Sequence, residues 1–163
     1  MEIVISDTNI FIDLWNIGLL EQFCELPLSI HTTDFIIGEL KTQGVKDAIA
    51  QLHQKGKITI KTFKSNEYAE IMSLQAKNLS FQDCTVLYYA LNGDYKLLTG
   101  DRNLRVIAER HGLQVSGIIY VIDELLHHDI LSKEEYITKL KALLESNHRL
   151  PTKEIMKRIE NSF

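Results

Sequence analysis

Short apolar segments alternate with longer segments of helical periodicity along most of this chain. Strand-like segments occur at residues 3–5, 28–32, 58–63 and 95–99. The intervening periodicity predicts helices over residues 17–26, 34–41, 45–54, 66–78, 81–91 and 102–111. Because strands that alternate with helices form parallel sheets with crossover connections, the sequence predicts an α/β domain with a central, mostly parallel sheet.

The C-terminal part of the chain has a different pattern, because after residue 116 it becomes entirely helical. The periodicity predicts helices over residues 118–127, 133–146 and 152–161, and Ser132 and Glu135 have the spacing of a capping box. The 163 residues fit a single domain. We therefore expect these helices to pack on one side of the sheet.

The two cysteines and the lengths of the apolar runs indicate in which cellular compartment the protein is expected. Cys24 and Cys84 lie far apart in apolar segments, which supports neither a disulfide framework nor a thiolate metal site. No apolar run approaches the roughly 20 residues that span a bilayer. We expect a soluble, cytoplasmic protein that does not bind membranes.

Charge is unevenly distributed, although the formal net charge is only −4. This balance argues against binding of nucleic acid by overall electrostatic attraction. Residues 1–40 contain seven acids and no Lys or Arg, so the remaining 15 acids and 18 basic residues give residues 41–163 a net charge of +3. Residues 139–158 hold six basic and two acidic residues, a pattern typical either of contact with phosphate or of a solvated helix face.

Two acids directly follow predicted strands. Asp7 comes after the strand at residues 3–5, and Asp101 comes after the strand at residues 95–99. Ligands bind parallel α/β sheets outside the carboxyl ends of the strands, so we expect both carboxylates at one rim. The alternative for each acid is a structural role as a helix N-cap or in an Asx turn.

Two further acids lie on predicted helices. Asp83 shares a helix face with the apolar residues Val86 and Leu87, although Ser80 and Asp83 also match the spacing of a capping box. Glu39 lies on an early helix, for which a surface position is the alternative.

Four acids gathered in one cleft repel each other unless a divalent cation neutralises them. Because all of these ligands are oxygens, the hard cations Mg²⁺ and Mn²⁺ fit better than Zn²⁺. Such an ion lowers the pKa of a bound water and stabilises charge that develops on a phosphodiester. The four acids are therefore candidate metal ligands for phosphodiester hydrolysis.

The order of these motifs resembles the PIN domain family, whose members are metal-dependent ribonucleases that include the VapC-like toxins of toxin–antitoxin pairs. The resemblance covers roughly residues 1–120, and residues 121–163 resemble the helical C-terminal extension of a PIN subgroup in bacteria and archaea. The motifs are Asp7-Thr8-Asn9 after the first strand, Glu39 on an early helix, Asp83 at a helix start, and the TGDRN segment at residues 99–103.

This resemblance implies a fold, a site and a cofactor. The fold is a three-layer sandwich, with a nuclease domain at residues 1–120 and a helical extension at residues 121–163 packed on it. The cofactor is Mg²⁺ or Mn²⁺. Asn9 and Thr99 would orient the ligands or water around the metal. The catalytic residues, which are also the metal ligands, are Asp7, Glu39, Asp83 and Asp101.

Basic residues near the acids are candidates for contact with RNA. Arg102 and Arg105 follow Asp101 at the start of a predicted helix, where guanidinium groups can hold phosphate oxygens. A plain surface role is the alternative for both.

We therefore expect a Mg²⁺- or Mn²⁺-dependent endoribonuclease, and the resemblance implies a toxin with an antitoxin partner. PIN relatives often dimerise, and the apolar residues Ile10, Phe11 and Leu14 serve either a homodimer interface or the core. One alternative is a binding module of the same fold that acts through a protein partner without cleavage. Another is an aspartate-nucleophile phosphatase, whose pattern places a second Asp where this chain has Asn9.

Overall fold

The computed structural model describes residues 1–162 and places a five-stranded parallel sheet at the centre of the chain. The strands are β1 (Glu2–Ser6), β2 (Leu28–Thr33), β3 (Ile58–Lys61), β4 (Lys96–Leu98) and β5 (Val115–Ser116). Their order across the sheet is β3-β2-β1-β4-β5, and every neighbouring pair is parallel. The predicted α/β class and mostly parallel sheet are confirmed.

Helices cover both faces of the sheet. They are α1 (Thr8–Asn16), α2 (Leu20–Phe23), α3 (Asp34–Glu39), α4 (Gln43–Gln54), α5 (Ser65–Met72), α6 (Phe81–Gly93), α7 (Arg102–Arg110), α8 (Ile118–His127), α9 (Lys133–Ser146) and α10 (Thr152–Asn161). Successive strand residues point to opposite faces, so Val4 joins a core with α1, α2, α4 and α8–α10, whereas Ile5 joins a core with α3 and α5–α7. The result is the three-layer sandwich that the family resemblance implied.

The first helix was absent from the sequence prediction, which placed one helix over residues 17–26. Asp7 is extended and its side chain accepts a hydrogen bond from the Thr8 backbone N–H, so α1 begins directly after β1. Gly18, with a φ of +73°, lies between α1 and the short helix α2. The buried residues Ile10, Phe11 and Leu14 all belong to the core on this side of the sheet.

The three C-terminal helices pack on the same side of the sheet as α1. Their apolar side chains share one core with α1, α2 and α4. Polar contacts join them further: Arg158 on α10 and the Tyr136 hydroxyl on α9 both donate to Asp123 on α8. The predicted boundary at residue 120 falls within α8. The division into a nuclease domain and a helical extension stays a prediction. Between residues 1 and 162, no helix has the length and apolar character needed to cross a membrane.

A buried acid anchors the loop between α9 and α10. The Asp13 side chain is 7% exposed, and both of its carboxylate oxygens accept a hydrogen bond from the Asn147 amide at 3.1 Å. Burial raises the pKa of Asp13, while the bond from Asn147 and the charge of Arg149 act in the opposite direction. The Asn147 side chain also accepts from the Arg149 backbone N–H, so one residue fixes the start of this loop.

We predict that Asn147→Ala destabilises the protein by roughly 1–3 kcal/mol, because the buried Asp13 carboxylate loses its donor. For a chain of this size that corresponds to a fall of about 2–4 °C in Tm for each kcal/mol. Thermal melts followed by circular dichroism measure the change. His148→Ala, at the next position in the loop, is the control. Equal melting temperatures for the two variants would contradict the anchoring role.

Candidate functional site

The strand order determines where the site lies. The chain runs outward from β1 through β2 to β3, then crosses back to β4 on the other side of β1, and parallel α/β sheets bind ligands in the crevice at such a reversal. Ser6 on β1 pairs in register with Leu98 on β4. The next residue, Asp7, donates its backbone N–H to the Leu98 carbonyl at 2.9 Å. Asp7 and the residues that follow β4 therefore meet at this crevice.

Thr99 connects the two acids that follow these strands. Its hydroxyl donates to Asp7 Oδ2 at 2.7 Å and accepts from the Asp101 backbone N–H at 3.0 Å. Nearby, Asn9 Oδ1 accepts from the Gly100 backbone N–H at 2.9 Å. Thr99 thus contacts a predicted metal ligand directly, and Asn9 holds the turn that carries Asp101.

Glu39 and Asp83 approach from the β2 side of the crevice. Glu39 ends α3, which begins where β2 ends, and its carboxylate accepts from the Thr8 hydroxyl at 2.8 Å. Asp83 lies in the first turn of α6. This helix is joined to β2 through the side chains of Thr33 and Thr85, whose hydroxyl oxygens are 2.9 Å apart.

The four acids form one electrostatically coupled cluster. The Asp7 side chain is only 4% exposed, and burial raises its pKa to about 6 although Thr99 and the Thr8 backbone donate to it. The charges of Asp83 and Glu39 raise it as well. Burial likewise raises the pKa of Asp83, and the charge of Asp101 adds to that effect. Within residues 1–162, no Lys, Arg or His forms a salt bridge with any of the four.

Three of these acids also act as helix caps, the structural role that the sequence offers as the alternative to metal binding. Asp7 caps α1, Asp101 caps α7 by accepting from the Leu104 backbone N–H, and Asp83 accepts from the Ser80 backbone N–H in a capping box. Each cap uses one carboxylate oxygen. In the described part of the chain, the other oxygens of Asp83 and Asp101 accept no hydrogen bond. The capping roles therefore leave these carboxylates available for a ligand.

The donor set has the chemistry that a hard divalent cation requires, since all four side chains offer carboxylate oxygens. Over residues 1–162, no three acidic, imidazole or thiol side chains are placed so that together they could hold a metal ion. This arrangement is compatible with Mg²⁺, which keeps several waters and takes only one or two protein carboxylates. Direct ligation by all four acids stays a prediction.

A family model described as a PIN domain matches residues 3–162, almost the entire chain. The chain belongs to the PIN domain family. PIN domains are generally nucleases and generally use divalent metals. The resemblance inferred from the order of the acidic motifs is thereby confirmed. The match to the family model also covers the C-terminal helices α8 to α10.

Two solved structures from archaea are similar to this PIN domain, while no curated protein matches it. A PilT N-terminus domain protein from Sulfolobus solfataricus is 15% identical with a TM-score of 0.47, over 77% of this chain and 94% of that one. A domain of a functionally unknown protein from Methanocaldococcus jannaschii is 19% identical with a TM-score of 0.48, over 72% of this chain and 91% of that one.

Sequence reasoning missed one residue that shapes the site. In the sequence, Thr8 is only the middle residue of the motif that follows β1, yet its hydroxyl contacts Glu39 across 31 positions of sequence. Its place next to Asp7 was the available signal, because a side chain beside the central acid lies within reach of the others. Both arginines predicted to contact RNA lie on α7 at the edge of the site, and Arg105 contacts Glu109 and the Val115 carbonyl.

Proposed function

We propose that this PIN domain is an endoribonuclease that hydrolyses RNA phosphodiester bonds with Mg²⁺ or Mn²⁺ as its cofactor. Asp7, Glu39, Asp83 and Asp101 would hold the cation, either directly or through the water molecules that it retains. In the reaction, a water molecule loses a proton and its oxygen bonds to phosphorus, while the bond between phosphorus and the leaving oxygen breaks and that oxygen takes up a proton. When bound, a divalent cation lowers the pKa of water and offsets the charge that develops on the phosphate.

The observation that carries this proposal is the coupled acid cluster at the crevice between β1 and β4. Burial and neighbouring carboxylates raise the pKa of Asp7 to about 6, so the cluster is electrostatically unfavourable in the protein alone. No cationic side chain among residues 1–162 pairs with it. Such an arrangement costs stability and is typical of a functional site.

The chain's own residues position the reacting groups. The Thr99 hydroxyl fixes one oxygen of the buried Asp7 carboxylate, and the Thr8 hydroxyl fixes one oxygen of Glu39. Asn9 holds the Gly100 backbone and so orients the turn that leads to Asp101. This preorganisation keeps the carboxylates in place before the substrate arrives.

The two alternatives receive less support from these contacts. An aspartate-nucleophile phosphatase needs an acid at the position of Asn9, whose side-chain oxygen here accepts a hydrogen bond from the backbone. A binding module without activity has no need to keep four acids near one another at a cost in stability. The toxin role, an antitoxin partner and a homodimer stay predictions, tested by growth arrest on expression and by sedimentation.

Incubation of the full chain with a labelled oligoribonucleotide tests the proposed activity. We expect cleavage with MgCl₂ or MnCl₂ and a loss of at least ~100-fold when EDTA removes the metal. Asp101→Asn, purified in parallel, controls for contaminating ribonuclease. Equal rates with and without EDTA would contradict metal dependence, and the absence of cleavage with either metal would favour the binding module.

A further inference from the structure

A cleft of about 580 Å³ opens beside the acid cluster. It is lined by residues that follow β4 and begin α7, by β5 and the start of α8, and by the loop between α9 and α10 together with α10 itself, including Arg149 and Pro151. Thr99 and Gly100 line the cleft, and Thr99 also contacts Asp7 while Gly100 contacts Asn9, so the cleft adjoins the acid site.

The cleft is basic although the acid site beside it is negative. Four arginines line it, together with the acids Asp123 and Glu154. Arg158 forms salt bridges with both of these acids, at 2.9 and 3.0 Å. Four arginines against two acids leave the lining with a formal net charge of +2. No salt bridge involves Arg102 or Arg149 anywhere in residues 1–162. Arg105 has one long contact of 3.4 Å with the exposed Glu109.

The position of Arg149 depends on the anchored loop. Asn147 is bound to the buried Asp13 and accepts the Arg149 backbone N–H, which fixes the chain immediately before the cleft wall. The other basic residues of the segment 139–158 have different surroundings. Lys139 donates to the Ile17 carbonyl at 2.7 Å, and Lys153 is exposed and does not line the cleft. The basic residues of this segment therefore do not form one uniform face. Of its two described arginines that line the cleft, Arg158 forms salt bridges and Arg149 forms none.

We propose that this cleft binds the phosphate backbone of an RNA strand on one side of the acid site, with Arg102, Arg105 and Arg149 contacting phosphate oxygens. The inference rests on the proposed nuclease function and adds the C-terminal extension to the substrate-binding surface. Guanidinium groups suit this role because their paired N–H donors match two phosphate oxygens. The basic cleft also offsets the repulsion that an anionic strand meets at the neighbouring carboxylates.

Binding measured apart from cleavage tests this surface. All proteins carry Asp7→Asn to prevent cleavage, and fluorescence anisotropy follows a fluorescein-labelled single-stranded oligouridylate in MgCl₂. We expect Arg149→Ala and Arg105→Ala each to weaken binding about 3–10-fold. Each lost phosphate contact should also reduce the slope of log Kd against log salt concentration by about 0.7. Lys153→Ala, which removes one positive charge outside the cleft, should leave both values unchanged. Thermal melts check that every variant folds.

The outcomes separate this inference from the nuclease proposal. If Lys153→Ala weakens binding as much as Arg149→Ala, or if neither has an effect, the cleft assignment is overturned even where the wild-type chain cleaves RNA. If the wild-type chain cleaves no RNA but binding depends on Arg149 and not on Lys153, the cleft assignment stands and the nuclease proposal falls. Equal competition by polyglutamate at matched charge would overturn the assignment to RNA in favour of an acidic protein segment.

Discussion

Asp7→Asn is expected to lower the rate of RNA cleavage by at least ~100-fold while leaving the fold intact. Asp7 lies at the centre of the acid cluster, where the charges of Asp83 and Glu39 act on it and Thr99 contacts it. Asparagine removes the negative charge that attracts a cation. It keeps an oxygen that accepts from the Thr8 backbone, and its amide can donate to the Thr99 hydroxyl.

The matched control for this prediction is Asp34→Asn. Asp34 lies at the start of α3, after β2, so it occupies the same edge of the sheet, but its side chain is exposed. Within residues 1–162 it accepts only from the neighbouring Phe35 backbone N–H. Initial rates with a labelled oligoribonucleotide and saturating MgCl₂ provide the comparison. The site assignment is wrong if Asp7→Asn cleaves at the rate of the wild type, or if Asp34→Asn loses as much activity as Asp7→Asn.

The same substitution should stabilise the protein when metal is removed. The pKa of Asp7 rises from 3.8 to about 6 on folding, mainly because of burial. A carboxyl whose pKa is raised by folding favours the folded state most below pH 4, where it is protonated in both states. That stability is lost as the pH rises from about 4 through 6. Above this range the charged Asp7 costs roughly 3 kcal/mol, and Asp7→Asn avoids the cost.

The test is a comparison of melting temperatures in EDTA at several pH values. The Tm of Asp7→Asn should exceed that of the wild type by roughly 6–12 °C at pH 7.5, and the difference should shrink towards zero near pH 4. Asp34→Asn should show no such pH-dependent gain, because it relieves no burial. A Tm difference that is absent, or that is the same at pH 4.5 and pH 7.5, would show that Asp7 is not a strained buried carboxylate.

These two results together distinguish a functional acid from a structural one. A residue that only caps α1 should destabilise the protein when replaced, whereas loss of activity with a gain in stability indicates that Asp7 is maintained for its charge. Added MgCl₂ should raise the Tm of the wild type more than that of Asp7→Asn, because a ligand that binds only the folded state stabilises it.

Local patterns in the sequence predicted most of the secondary structure. The strands β1 to β4 and the helices α8 to α10 lie where periodicity and capping signals place them. The helix α1 was missed because it begins immediately after β1, with Asp7 acting both as the residue after the strand and as the helix cap.

The sequence by itself determined the α/β class, the parallel sheet and the candidate acids, because strand and helix periodicity and the residue after each strand are local properties. Only the tertiary structure decided which side chains meet. Asp7 and Asp101 are joined through Thr99 because β4 pairs with β1. Arg149 lies beside the same crevice because Asn147 binds the buried Asp13, 134 positions earlier in the chain. Contacts between distant residues depend on strand order and packing, and no spacing along the chain encodes them.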